Sequence, residues 1–200
     1  MSYVENRVYV KDFATLPVDS NLLVPIATAP GHKQQYIHKA ILPDFLGMAA
    51  ACEADLGIPF LIASGHRPPL WDTREAYEAD MIKQYGSVEE GQKWRAFASA
   101  HQTGLALDAG SGGLMPDSKT IPEQKKTKIY AWIVANAYKW KFAPYLREPW
   151  HVEHKVSINS FKAGVPDTEE SSPVYQNPIM TCDEANDVCI EAPLDWVTVK

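Results

Sequence analysis

Hydrophobic positions recur along this chain at two periods. Between residues 36 and 56, Ile37, Ile41, Phe45, Met48, Cys52 and Leu56 return every three to four residues, which predicts a helix with one apolar face. Pro43 inside that pattern suits a helix start, and Gly57 suits its stop. "IPFLIAS", Ile58 to Ser64, is a short apolar run that predicts a buried strand, broken by "RPP". Residues 72–98 are polar and helix-prone, with breaks predicted at Gly86 and Gly91. In "LALDAG" the pattern changes to alternation. Leu105 and Leu107 face one way, Ala106 and Asp108 the other, as on a strand. A second helix is predicted over 123–140, with Ile129, Trp132, Ile133 and Trp140 on or near one face. "EPWHVEHKVSI" reads as a last strand. The opening, residues 3–28, has short apolar runs broken by Pro17 and Pro25, and predicts extended chain or short strands around the core.

Helices and strands mix here without a regular βαβ beat. The expected fold class is therefore α+β, a small, mostly antiparallel sheet with flanking helices. A length of 200 residues suits one compact domain, or one domain with an appendage. We place the main domain at 1–160. Residues 161–200 form a tail that packs on the domain or extends from it.

Charge sharpens that division. The net charge is −6, and residues 161–200 carry eight acids against two bases, so residues 1–160 are formally neutral. The acidity belongs to the tail, and no basic footprint points to nucleic acid. No apolar run is long enough to span a membrane. The N-terminus "MSYVENRVYVKDF" lacks the basic-then-apolar signal pattern. Export by another route, a signal already removed, or a cytoplasmic location are all consistent with that. Of three cysteines, Cys52 reads as a small core residue, while Cys182 and Cys189 flank "DEANDV" closely enough for a local disulfide.

Three polar clusters fall at ends of predicted strands: "SGHRPP", "SAHQTGLALD" and "REPWHVEH". A catalytic zinc takes three protein ligands and leaves one position open. His101, Asp108 and His151 supply two imidazoles and a carboxylate. Glu148 precedes His151 by three residues, and a carboxylate beside an activated water can take its proton and return it to a leaving amine. Arg67 is a fixed cation that could meet an oxyanion or a substrate carboxylate. Taken singly, each spacing is weak. Their recurrence in one small domain is what strengthens them.

Ser99, His101, Gly104, Ala106 and Asp108 match a Ser-x-His-x-x-Gly-x-Ala-x-Asp signature, and Glu148, Trp150 and His151 match Glu-x-Trp-His. With "SGHR", Ser64 to Arg67, they resemble the zinc D-alanyl-D-alanine peptidases, the VanY-like carboxypeptidases and related phage endolysin peptidases. That superfamily includes the lysostaphin-type enzymes and the hedgehog domain. The resemblance covers about residues 36–155 and includes the helix "AWIVANAYKWKF" before the last strand. It implies the hedgehog and DD-peptidase-like zinc fold. It also implies Zn2+ on His101, Asp108 and His151, Glu148 as general base and acid, and Arg67 as the residue that binds substrate or steadies the oxyanion. Ser99, His66 and Trp150 would line or support the substrate side. Gly104 would permit the turn between two ligands, and Ala106 would leave room near the metal. His66 stands where the family has Tyr, and Lys141 where it commonly has Gly.

The implied activity is hydrolysis of peptidoglycan stem peptides by a zinc metallopeptidase acting at the cell wall, periplasmic or extracellular. It would be a D-Ala-D-Ala carboxypeptidase or an L-Ala-D-Glu type endopeptidase. The short segment from Phe142 to Glu148 favours an open groove and so the endopeptidase. The expected partner is peptidoglycan or its stem peptides, with the protein a monomer. Two rivals stand beside this reading. One is a zinc-bearing binding domain without hydrolysis, against which the intact Glu148 argues. The other is a zinc amidase or peptidase on a non-wall substrate. Glu153 shares the His151 face of the predicted strand and competes with Glu148 for a role, while His154 points the other way and reads as structural. His32 and His38 read as surface or packing residues.

Overall fold

The computed structural model describes Val8, residues 12–93 and 95–168, and the backbone of 180–183 and 188–191. A four-stranded sheet forms its centre. The strands are β3 (Ile62–Ser64), β4 (Ala106–Ala109), β5 (Phe142–Pro144) and β6 (His151–His154), in the order β3-β4-β6-β5, with every neighbouring pair antiparallel. A separate hairpin pairs β1 (Leu23–Ile26) with β2 (Gln35–His38). The small antiparallel sheet with flanking helices is the α+β architecture that the pattern predicts.

The first predicted helix begins six residues late. Residues 35–38 are strand, 39–41 form a 3₁₀ turn, and α1 runs Leu42–Leu56. Pairing with β1 overrides the helical spacing of Ile37, and the His38 side chain then accepts the Ala40 N–H at the turn start. Pro43 occupies the first turn of α1, where its missing N–H costs nothing, and Gly57 ends the helix at φ 66°. Phe45, Met48 and Cys52 form its buried stripe. Each of the two larger ones contributes roughly 1.5–3 kcal/mol by leaving water.

The polar stretch splits into α2 (Arg74–Tyr85) and α3 (Val88–Gln92). Gly86 is the break, but Gly91 lies inside α3. A Cβ there would meet the Met81 side chain at 2.7 Å, so Gly91 serves close helix packing instead of a stop. The second long helix is shorter than predicted. It comprises α4 (Ile121–Gln124), α5 (Lys128–Asn136) and a 3₁₀ turn over Ala137–Trp140. Thr127 caps α5 by accepting the Tyr130 N–H, and Trp132 Nε1 donates to Asp55 at 2.7 Å, tying α5 to α1.

Lys141 ends that turn at φ 63°, the only positive φ outside glycine among the described residues. The strain of such a residue is about 1 kcal/mol. Lys141 Nζ reaches Asp44 at 3.2 Å, and the same carboxylate oxygen meets His154 Nε2 at 2.8 Å. Burial opposes charge on Asp44, but His154 and Lys141 outweigh it and hold its carboxyl below the ordinary range. His154 therefore points away from the cluster of site residues, toward α1.

Two elements have no counterpart in the expected pattern. Phe142–Pro144 is a strand, paired to β6, and α6 covers Ile158–Ala163. Phe161 enters the core, and Asp167 accepts both the N–H and the hydroxyl of Ser157 at the α6 start. Ordered packing thus crosses residue 160. Further on, β7 (Met180–Asp183) and β8 (Val188–Glu191) form a hairpin that sets Cys182 opposite Cys189. The side chains of that pair, and the acidic residues of the tail beyond Asp167, lie outside the described residues.

Candidate metal centre

The antiparallel register of β4 and β6 creates the site. Asp108 sits opposite His151, and Ala106 opposite Glu153. Residues directly opposite share a face, so two carboxylates and an imidazole line one side while Leu107 and Val152 pack into the core on the other. All four residues of β4 are buried, so the alternation separates two covered faces, not an inside from an outside.

His101 arrives from the 3₁₀ turn Ala100–Thr103. Ser99 Oγ caps that turn by accepting the His101 N–H at 3.4 Å. Gly104 closes it at φ 73°, where a Cβ would meet His38 N at 2.9 Å. Only glycine fits that turn, and it swings the chain from the first ligand into the strand of the second. His101 Nδ1 donates to the Gly65 carbonyl at 2.7 Å, which leaves Nε2 with its lone pair facing inward.

Three donor atoms converge. His101 Nε2 lies 3.3 Å from both His151 Nδ1 and Asp108 Oδ1, and His151 Nδ1 lies 2.9 Å from Asp108 Oδ1. Ligands about 2.0 Å from a tetrahedral zinc stand about 3.3 Å apart, close to this triangle. His151 Nε2 meets Glu153 Oε1 at 3.0 Å. Both imidazoles therefore have their outer nitrogens bonded to oxygen acceptors and their inner nitrogens aimed at one point. Two lone pairs and a carboxylate oxygen facing each other, buried, need a cation between them. The residues fit a zinc ion.

Without a metal, a proton must serve. Burial would raise the Asp108 carboxyl, but His101 and His151 outweigh it and hold it far below the ordinary range. Burial would also lower His151, yet the hydrogen bonds and charges of Asp108 and Glu153 push it up to about 10. A metal held by the same three atoms would take the place of a proton at Nδ1.

The remaining predicted residues surround this triangle in different ways. Arg67 is half exposed at its mouth, with Nη2 3.7 Å from Asp108 Oδ2, and its N–H donates to the His101 carbonyl. Glu148 is half buried in the turn before β6, and its carbonyl accepts the His151 N–H at 2.8 Å. That turn fixes the carboxylate-bearing residue to the ligand that follows it. His66 Nε2 lies 2.9 Å from the Leu16 carbonyl, and burial lowers its pKa. Trp150 is buried, with 6% of its surface exposed, and packs in the main hydrophobic core.

Sequence reading left out the Gly65 carbonyl and the N–H of Val8, which donates to Glu153 Oε2. Backbone groups carry no residue-type signal. The position of Glu153 two residues after His151 on a strand did place both on one face, and that was legible.

Fold and site together define a metallopeptidase. The family described as D-alanyl-D-alanine carboxypeptidase (VanY) matches residues 34–157, more than half of the chain. This chain belongs to that family. No curated protein matches it. Among solved structures it is similar to the LD-carboxypeptidase LdcB, at 20% identity and a TM-score of 0.55, over 82% of this chain and 80% of that one. Two further similar structures are of VanY enzymes. A variant of the vancomycin-resistance D,D-pentapeptidase VanY with Zn(II) has 22% identity and a TM-score of 0.44, over 74% of this chain and 86% of that one. VanYB with D-alanine-D-alanine has 23% identity and a TM-score of 0.44, over 76% and 89%. The LdcB similarity shows a shared fold.

Proposed function

We propose that this protein is a zinc carboxypeptidase that removes a terminal D-alanine from peptidoglycan stem peptides at the cell wall. The converging triangle of His101 Nε2, Asp108 Oδ1 and His151 Nδ1 carries the reading, within a chain of the D-alanyl-D-alanine carboxypeptidase family. The LdcB structure was described as revealing the molecular basis of peptidoglycan recognition, which suits the same substrate class.

A zinc ion held by His101, Asp108 and His151 would supply Lewis acidity for the scissile carbonyl and for the attacking water. The rest falls to this chain. Glu148, on the turn tied to His151, takes the proton from the water and delivers it to the leaving amine. Arg67 presents its guanidinium at the half-exposed mouth, where it grips the substrate's terminal carboxylate or meets charge growing on the carbonyl oxygen. Ser99 holds the turn that carries His101, and Trp150 supports the turn that carries Glu148 from within the core. His66, tethered to Leu16, shapes the wall beside Arg67.

Muropeptide mass spectrometry after incubation with zinc-loaded protein tests this directly. The expected product is a stem shortened by one alanine. Cleavage inside the stem would replace the carboxypeptidase by an endopeptidase, and intact muropeptides would overturn hydrolysis of wall peptides. Glu148→Gln is expected to retain zinc and lose about 10²–10⁴-fold in rate. Full activity in that variant would remove Glu148 from the mechanism.

A further inference from the structure

The steps above leave one carboxylate without a part. Glu153 is fully buried in β6, opposite Ala106 of β4 on one side and Ala143 of β5 on the other. Two alanines beside it leave space for its side chain between the strands. Oε1 accepts from His151 Nε2 at 3.0 Å, and Oε2 accepts the Val8 N–H at 2.5 Å. Nε2 lies across the imidazole from Nδ1, the atom in the ligand triangle. Glu153 therefore sits behind His151 and is neither a ligand nor a base for the attacking water. Val8, 145 positions earlier in sequence, is buried in the main hydrophobic core.

We propose that Glu153 and the backbone N–H of Val8 form a clamp that positions His151, so that Val8 belongs to the metal centre. This rests on His151 being a zinc ligand. An imidazole that binds metal through Nδ1 must keep its proton on Nε2. A carboxylate at Nε2 fixes that tautomer, sets the plane of the ring and makes Nδ1 more basic. The carboxylate must itself be held, because a buried charged oxygen with no donor is costly and would turn or take up a proton. The Val8 N–H donates to Oε2, and charge-assisted bonds of this kind are the stronger ones. A main-chain N–H has no side-chain rotamers to search, and the burial of Val8 keeps it in place. Glu153 is thus a positioning residue, and the Val8 N–H reaches the chemistry through it.

The test uses the full chain. Zinc affinity is measured by competition with a chromophoric chelator, and the His151 ring N–H is followed by NMR in the zinc-loaded protein. In the parent, the Nε2 proton is expected far downfield, as for a proton shared with a carboxylate. Glu153→Gln is expected to weaken zinc binding about 10- to 100-fold and to move that signal upfield. Val8→Pro removes the N–H while keeping an apolar side chain, and should shift both readouts in the same direction. A ring signal and an affinity unchanged in Glu153→Gln would overturn the clamp. The same result in Val8→Pro would remove Val8 from it, and that variant decides alone if Glu153→Gln does not fold. A parent protein that fails to bind zinc would overturn the metal reading beneath the proposal, a different outcome that the same competition assay reports.

Discussion

Single residues in this protein are held by partners that their own neighbourhood in sequence does not reveal. His38 is one. Its ring is fully buried, stacks on Phe161 with centroids 4.5 Å apart, and accepts the Ala40 N–H through Nδ1. Burial lowers its pKa from 6.5 to about 4. The unfolded chain takes up a proton near pH 6.5, whereas the folded chain resists until about pH 4. Stability is therefore complete above pH 6.5 and falls as pH drops through that window, by on the order of 3 kcal/mol at its lower end. His38→Asn keeps a capping oxygen but cannot titrate. Urea melts of the metal-free protein from pH 7 to pH 4 should show a shallower loss in that variant. Identical pH slopes for the two proteins would exclude His38 as a source of acid sensitivity. The same contrast applies at the site. His101, Asp108 and the shared face of His151 and Glu153 were legible from spacing, but the Gly65 carbonyl behind His101 and the Val8 N–H that holds Glu153 were not, because backbone groups carry no residue-type signal.

At the scale of elements, the chain was read best where one period dominates. The apolar stripe of α1 and the β4 strand follow from spacing, since burial of one face is what creates that spacing. It was read worst where pairing outweighs period. Residues 35–38 fit a helical stripe but pair with β1, and Phe142–Pro144 is too short to show alternation. The segment "SGHR" shows what such pairing demands. Gly65 N–H donates to Gln35 Oε1, its carbonyl accepts from His101, and the adjacent His66 N–H donates to the Tyr36 carbonyl. A Cβ on Gly65 would collide with that Tyr36 carbonyl oxygen, which is backbone and cannot turn aside. Gly65→Ala is expected to cost about 1–3 kcal/mol and to weaken zinc binding by displacing the carbonyl behind His101. Thermal melting together with chelator competition checks this, and a variant matching the parent in both would mean that β2 yields more easily than its hydrogen bonds suggest.

For the molecule as a whole, the candidate metal centre joins parts that are far apart in the chain. His101 comes from a 3₁₀ turn, Asp108 from β4 and His151 from β6, and Val8 closes the far side. An ion that binds only when these are assembled stabilises the folded state by mass action, by about 2.7 kcal/mol when free zinc is at 100 times its Kd. In a chain of this size that corresponds to a melting temperature about 5–10 °C higher. Stripping the protein with a chelator should lower Tm by that amount, and adding zinc back should restore it. A Tm indifferent to chelator and zinc would sink the metal centre as a structural fact as well as a catalytic one.

The sequence by itself determined the donor chemistry and its order. Two imidazoles and a carboxylate, a glycine at the αL turn between two of them, small alanine on the ligand strand, and the α+β alternation of periods all lie in local spacing. Local spacing survives folding because it reflects which side of an element is buried. Tertiary structure alone decided the rest. It chose the register that sets Asp108 opposite His151, turned His154 toward Asp44, drew Trp150 into the core, and brought the Val8 N–H to Glu153. Each of these depends on strand pairing or backbone contact between residues far apart in sequence, where hydrogen-bond geometry, and not side-chain type, selects the partner.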